Sequence, residues 1–151
     1  MKFEKFFKSV GTHGLIVKKS ESESWLLCGG VGMRIPVGVN NLGVSVDPEP
    51  LFKAIVNSDP EDDYLALKEA LLFGPDGKLA DVIRVFETDL GDRVGIFNPY
   101  YGLLEKKDRL TYLEIEATSP NDESKVITAK YMVVRDHTGE AIGFITGSDR
   151  I

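Results

Sequence analysis

The spacing of apolar side chains changes along this chain, and each change marks an element. Phe3, Phe6, Phe7 and Val10 fall at i, i+3, i+4 and i+7, with Lys2, Lys5 and Lys8 on the other side. That period predicts a short amphipathic helix, stopped by Gly11. So few turns do not hold alone in water. The phenylalanines must dock on this chain's core, which is the first candidate, on a partner, or on a membrane surface, the least favoured because the helix lacks tryptophan. Residues 15–17 and 25–28 are apolar runs about a polar loop, the pattern of a hairpin, with Trp25 assigned to the core.

Residues 29–48 are rich in Gly and Pro, with short β segments expected around 34–39 and 44–46. Gly and Pro at this density argue against a central regular strand, so the stretch reads as an extended arm or an edge element able to join a neighbouring sheet. Residues 50–56 predict a short helix. A second helix is expected from Asp59 as N-cap and Pro60 at the first position, with Leu65, Leu67, Ala70, Leu71 and Leu72 on its apolar side. Gly74, Pro75, Asp76 and Gly77 are turn residues.

From there the period shortens to two. Strands are expected near 79–87, 93–97, 110–117, 125–135 and 141–146, joined by turn-forming residues. The most informative of them is 126–134. One face carries Val126, Thr128, Lys130, Met132 and Val134, and the other Ile127, Ala129, Tyr131 and Val133. A strand with one wet face alternates apolar and polar residues, so here both faces must be covered, by a helix, a second sheet or another subunit. The expected fold is α+β and β-rich. A five-stranded antiparallel meander forms a small barrel or curled sheet, with a short N-terminal helix and a helical segment near 50–73. The chain is read as one domain, divided into 1–46, 47–77 and 78–151.

Composition narrows the class. The chain has 151 residues, 42% hydrophobic and 28% charged, with 15 glycines, enough to bury a core without a disulfide or a metal staple. The formal charge of −6 argues against non-specific nucleic-acid binding, which depends on Lys and Arg displacing counterions. The charge is uneven: residues 1–19 hold five lysines against Glu4, a local +4 that leaves −10 elsewhere, and residues 47–63 hold six acids against Lys53. A positive end and an acidic middle are able to steer copies head to tail, although both also suit solvated faces. No apolar stretch approaches a secretion signal core or a membrane span, so synthesis in a cytoplasm is expected.

Little in the sequence points to catalysis. Cys28 is the sole cysteine and closes an apolar strand, where a thiol behaves as a small hydrophobe; a nucleophile would need a nearby base. Asp136, Thr138 and Gly139 are interrupted by His137 and have no second copy, so they fit a hairpin turn better than a carboxylate dyad. The glycines of 29–32 match no phosphate-loop spacing. His13 and His137 are far apart, and the loops 89–92 and 121–123 lack the ligand spacing of a calcium hand. No catalytic, cofactor or metal residue is assigned.

Asn98, Pro99, Tyr100, Tyr101 and Gly102 form the most distinctive surface candidate, because tyrosine is enriched at interfaces; one tyrosine anchoring its own loop is the equal alternative. The reading that results is a non-enzymatic subunit of a multi-chain assembly. Its expected interface residues are Phe3, Phe6, Phe7, Met33, Ile35, Tyr100, Tyr101, Arg150 and Ile151, and its partners are other copies or other protein subunits, not nucleic acid or membrane. A small virion protein of a tailed bacteriophage, such as a capsid decoration or tail component, suits the size, acidity and arms. The alternatives are a soluble acidic binding module that mimics nucleic acid, and a small enzyme using Cys28.

Overall fold

In the computed structural model the described residues are 1–39, 45–59, 64–72, 82–119, 121–148 and 151. The N-terminal amphipathic helix forms as α1 (Phe3–Val10), closed by Gly11, whose N–H donates to the Phe7 carbonyl. Phe6 and Val10 enter the chain's own core. The expected hairpin follows as β1 (Leu15–Lys18) and β2 (Ser24–Cys28), then β3 (Val31–Arg34) and β4 (Ser45–Val46). The short helix α2 (Pro50–Val56) precedes β5 (Ala66–Leu72), β6 (Val82–Glu87) and β7 (Arg93–Phe97). A single helical turn, α3 (Asn98–Tyr101), leads to β8 (Arg109–Ser119), β9 (Asp122–Arg135) and β10 (Ala141–Thr146).

The strands lie in two sheets, of order β4-β1-β2-β3-β10-β9-β8 and β5-β6-β7. Among the described strands only the β1–β4 pair is parallel. The fold is thus β-rich and mixed α+β, and neither sheet closes into a barrel among the described residues. Each of the five expected strands has a counterpart, but β6 and β7 pair with β5, while β8, β9 and β10 join the large sheet. The meander is therefore divided between two layers. In the two layers Phe86 of β6 and Val94 and Ile96 of β7 pack in one cluster with Met132 and Val134 of the large sheet.

The doubly apolar strand is the middle of this sandwich. Met132 and Val134 point into one cluster, with Phe6 and Val10 of α1, Phe86 of β6 and Val94 and Ile96 of β7. Tyr131 and Val133 point the other way, into a cluster with Trp25, Phe144, and Phe52, Ile55 and Val56 of α2. Trp25 is fully buried against the rings of Phe52 and Phe144, at centroid distances of 5.5 and 6.1 Å. Burying side chains of this size stabilises by about 1.5–3 kcal/mol each. Both faces of β9 are covered here by the chain itself.

Two local expectations are corrected. The second helix is absent over 66–72, which is the edge strand β5, paired with β6 from Ala66↔Glu87 to Leu72↔Val82. Its residues favour helix by only a few tenths of a kcal/mol each, and pairing satisfies the open edge of β6. Of the expected apolar side, Leu65 is buried in the core just before the strand and Leu71 is half-buried, whereas Leu67, Ala70 and Leu72 are exposed. Pro60, the turn 74–77 and residues 79–81 lie outside the described residues. The second correction concerns the Gly-rich stretch. Its opening segment is no arm: β3 is interior, between β2 and β10. Gly29 and Gly30, both with positive φ, make the two-residue loop that joins β2 to β3. Gly32 has no Cβ because the Phe144 ring would lie 2.2 Å from it. Glycine here serves turn and packing instead of disorder.

The chain end is tied down within the molecule. After β10, Gly147 N–H donates to the Lys130 carbonyl and Ser148 N–H to the Gly95 carbonyl, each at 2.7 Å. The side chains of Ile151 and Ile83 lie so close to Gly95 that it has no room for a side chain. The tail straps the large sheet to the small one.

Candidate interaction surface

β8 and β9 are the two longest described strands, 11 and 14 residues. The register of their hairpin runs from Arg109↔Arg135 to Thr118↔Val126, with a slip before Ser119↔Asp122. Tyr131 to Arg135 are buried, whereas 122–128 are exposed. The distal half is therefore an arm that leaves the sandwich.

The two faces of the arm differ in character. On one, Leu113, Ile115 and Ala129 are half-buried and continue the α2-side core cluster outward, and Ile127 follows, 49% exposed. On the other, the register sets Glu114 opposite Lys130, Glu116 opposite Thr128 and Thr118 opposite Val126. Val126 is 64% exposed. At the tip, the Asp122 carboxylate accepts the Ser124 hydroxyl and N–H, hydrogen bonds that hold its pKa below the usual carboxylate value. The outer edge of β8 is met among the described residues only at its root, where Tyr64 bridges Thr111 and Leu65 N–H donates to the Leu110 carbonyl at 2.8 Å.

Arg135 fixes that root. It is 3% exposed and donates to Thr111 Oγ1 at 3.1 Å, to the Gly139 carbonyl at 3.1 Å, and to Ser58 O and Oγ at 2.9 and 3.0 Å. The Thr111 hydroxyl donates in turn to the Val133 carbonyl at 2.9 Å. Burial lowers the guanidinium pKa from its ordinary value, opposed by the nearby charge of Asp59. One buried cation thus joins the arm, the end of α2 and the β9–β10 turn. In that turn the Asp136 carboxylate accepts the Thr138 hydroxyl and the N–H groups of Thr138 and Glu140, as its turn assignment requires.

A second surface gathers features that are distant in sequence. A cleft of about 610 Å³ is lined by Lys5, Phe6 and Ser9 of α1, by Cys28 and Gly29, and by Asn98 to Leu103. Tyr100 reaches toward the Gly29 carbonyl at 3.5 Å, and Lys5 Nζ donates to the Gly102 carbonyl at 3.2 Å. Tyr101 packs beside Phe86 and under the Arg84 guanidinium, 4.8 Å from its ring centre. Arg84 is held in turn by Asn98 Oδ1 at 3.0 Å. The cleft brings Cys28 near a lysine, a serine and a tyrosine, but no histidine or carboxylate lines it, and His13 is not among its residues. Among the described residues no cluster of three or more His, Cys, Asp or Glu is placed to hold a metal. No helix among them is long and apolar enough to cross a membrane.

Of the residues expected at an interface, Phe6 and Met33 are core, 3% and 2% exposed. Phe6 sits on the inward side of α1, and Met33 on interior strand β3, facing the same cluster. Phe3, Ile35, Tyr100, Tyr101 and Ile151 are half-buried. Phe7 is exposed and stacks on Phe3 at 6.0 Å. Arg150 lies outside the described residues. The arm residues Glu114, Ile115, Glu116 and Ile127 were absent from that expectation, although Leu113, Glu114, Ile115 and Glu116 alternate apolar and acidic in the sequence itself. Compared with protein-family models, with curated proteins and with solved structures, the chain matched none of them.

Proposed function

We propose that this protein is a non-enzymatic structural subunit of a multi-chain assembly and that the β8–β9 arm is its principal contact. The observation that carries this reading is the arm's continuous apolar face, Leu113, Ile115, Ala129 and Ile127, which extends a core cluster beyond the body. A two-stranded ribbon is marginal in water by itself, so a projecting one with an apolar face gains most from a neighbour that covers it. The strand edges at β4, β5 and β8 offer further places for pairing. The size and acidity of the chain, together with this arm, suit a small tailed-bacteriophage virion protein that decorates a capsid or builds a tail.

The test is native mass measurement of the full chain and of a variant in which residues 115–129 are replaced by Asn-Gly between Glu114 and Lys130. The parent is expected to form a defined oligomer, and the shortened chain to stay folded and monomeric. A parent that remains monomeric at high concentration overturns the proposal.

One observation favours a second reading, an acidic module that occupies a basic groove of another protein: Asp47, Glu49 and Asp59, which flank α2, are all exposed. Salt-sensitive one-to-one binding to a basic protein by a monomeric chain would select it.

A further inference from the structure

We propose that the pocket between α2 and the large sheet binds a small hydroxylated aryl-alkyl amine. The ligand's ring lies among the apolar walls, its hydroxyl against Tyr131, and its ammonium beside Asp47 and Glu49. This goes beyond the assembly reading and does not depend on it.

The walls set the body of the ligand. Phe52 and Ile55 of α2, Val17 of β1 and Phe144 of β10 surround a cavity of about 250 Å³, and all four are buried. A cavity of about 150 Å³ with walls of this kind admits benzene, so this one has room for a ring and a short alkyl chain. Leu15, Val46 and Leu51 also line it and are 48, 41 and 48% exposed. The rim they form is open to solvent, which gives a ligand its way in.

The polar groups set the two ends. Tyr131 of β9 lines the same cavity and is only 5% exposed, yet its hydroxyl has no hydrogen-bond partner among the described residues. The other hydroxyl at the cavity, that of Thr146, already donates to the Gly30 carbonyl at 2.6 Å. A buried hydroxyl left unpaired is costly, and a ligand hydroxyl placed against Tyr131 removes that cost. Burial raises the phenol pKa, so Tyr131 keeps its proton and is able both to donate and to accept.

At the rim stand Asp47 and Glu49, both exposed. Neither carboxylate has an ion-pair partner among the described residues, and no described Lys, Arg or His lines the cavity. The charged groups here are therefore of one sign, on a chain of formal charge −6, which favours a cation over an anion. A purely apolar guest would leave the Tyr131 hydroxyl unpaired. The order of groups from the buried end to the mouth is thus hydroxyl, ring, ammonium.

The probes are tyramine, which carries all three groups, phenethylamine, which lacks the hydroxyl, and tyrosol, which has an alcohol in place of the ammonium. Each is titrated into the full chain, with dissociation constants read from backbone amide NMR shifts, expected to cluster around Phe52, Tyr131 and Phe144. Tyramine should bind the parent about fivefold more tightly than either of the others. Asp47→Asn with Glu49→Gln should bring tyramine and tyrosol within about twofold of each other, while Asp89→Asn, in a remote exposed turn, leaves the preference intact. Tyr131→Phe should bring tyramine and phenethylamine within about twofold. Because the hydroxyl it removes has no partner, Tyr131→Phe should also keep or raise the melting temperature of the free chain. A lower one would mean that the hydroxyl is bonded within the protein, and overturns the inference. Equal binding of the three probes, a preference that survives its matching variant, or no binding of tyramine overturns it as well.

Discussion

Arg135 shows how much a single side chain decides. Its buried guanidinium donates to Ser58, Gly139 and Thr111 at once. Removing it takes a donor from the buried Thr111 hydroxyl and from the part-buried acceptors of Ser58 and Gly139, and each buried group left unpaired costs about 1–3 kcal/mol. Arg135→Ala is therefore expected to lower stability by roughly 3 kcal/mol, read from denaturant midpoints at constant slope. Arg135→Lys, which offers one compact ammonium in place of a planar fork, should recover only part of that. A loss below about 0.5 kcal/mol for Arg135→Ala would show that the network does not hold the arm's root. Nothing in the sequence marks Arg135, because a charged residue at the end of an apolar strand looks like a boundary. Its role depends on Ser58, 77 positions away.

At the scale of elements, β9 behaves as two segments in one strand. Tyr131 to Arg135 lie between two packed layers, while 122–128 have solvent around them. Amide exchange follows local opening energies, which range from near zero up to the global value. The ladder amides of 131–135 are thus expected to exchange only on global unfolding, and those of the distal arm orders of magnitude faster, read residue by residue by NMR. Uniform protection along β9 in a monomer would mean that the arm is covered. The alternation over 126–134 separates the two faces of the strand but does not mark where cover ends, because Val126 and Ile127 are as apolar as Val133 and Val134. Hydrophobicity states which surfaces gain from burial; neighbours determine which are buried. β5 makes the complementary point. Its Ala, Leu, Lys and Glu residues suit a helix, yet the open edge of β6 recruits them as a strand.

For the whole molecule, the central sheet is shared by two cores, one under α1 and the small sheet and one under α2. Damage to either is felt by both, because β9 contributes Met132 to one and Val133 to the other. Phe52→Ala, which empties the α2 side beneath Trp25, is expected to cost about 3–5 kcal/mol. The loss should appear in a single transition, followed identically by Trp25 fluorescence and by far-UV circular dichroism. Two separated transitions would mean that the layers unfold independently.

Sequence alone determined the periods: the N-terminal helix, the β1–β2 hairpin, α2 and the positions of most later strands, since these follow from local spacing of apolar residues and turn formers. It also showed that both faces of 126–134 are apolar, an expectation of cover that the structure meets over 131–134 and not over 126–128. Tertiary structure decided the division of the strands between two sheets, the strand state of 66–72, the interior place of β3 and the convergence of α1, Cys28 and Tyr100 on one cleft. These outcomes turn on pairing and packing between segments far apart in the chain, where the energy of a contact depends on which partner arrives and not on the residues of one window.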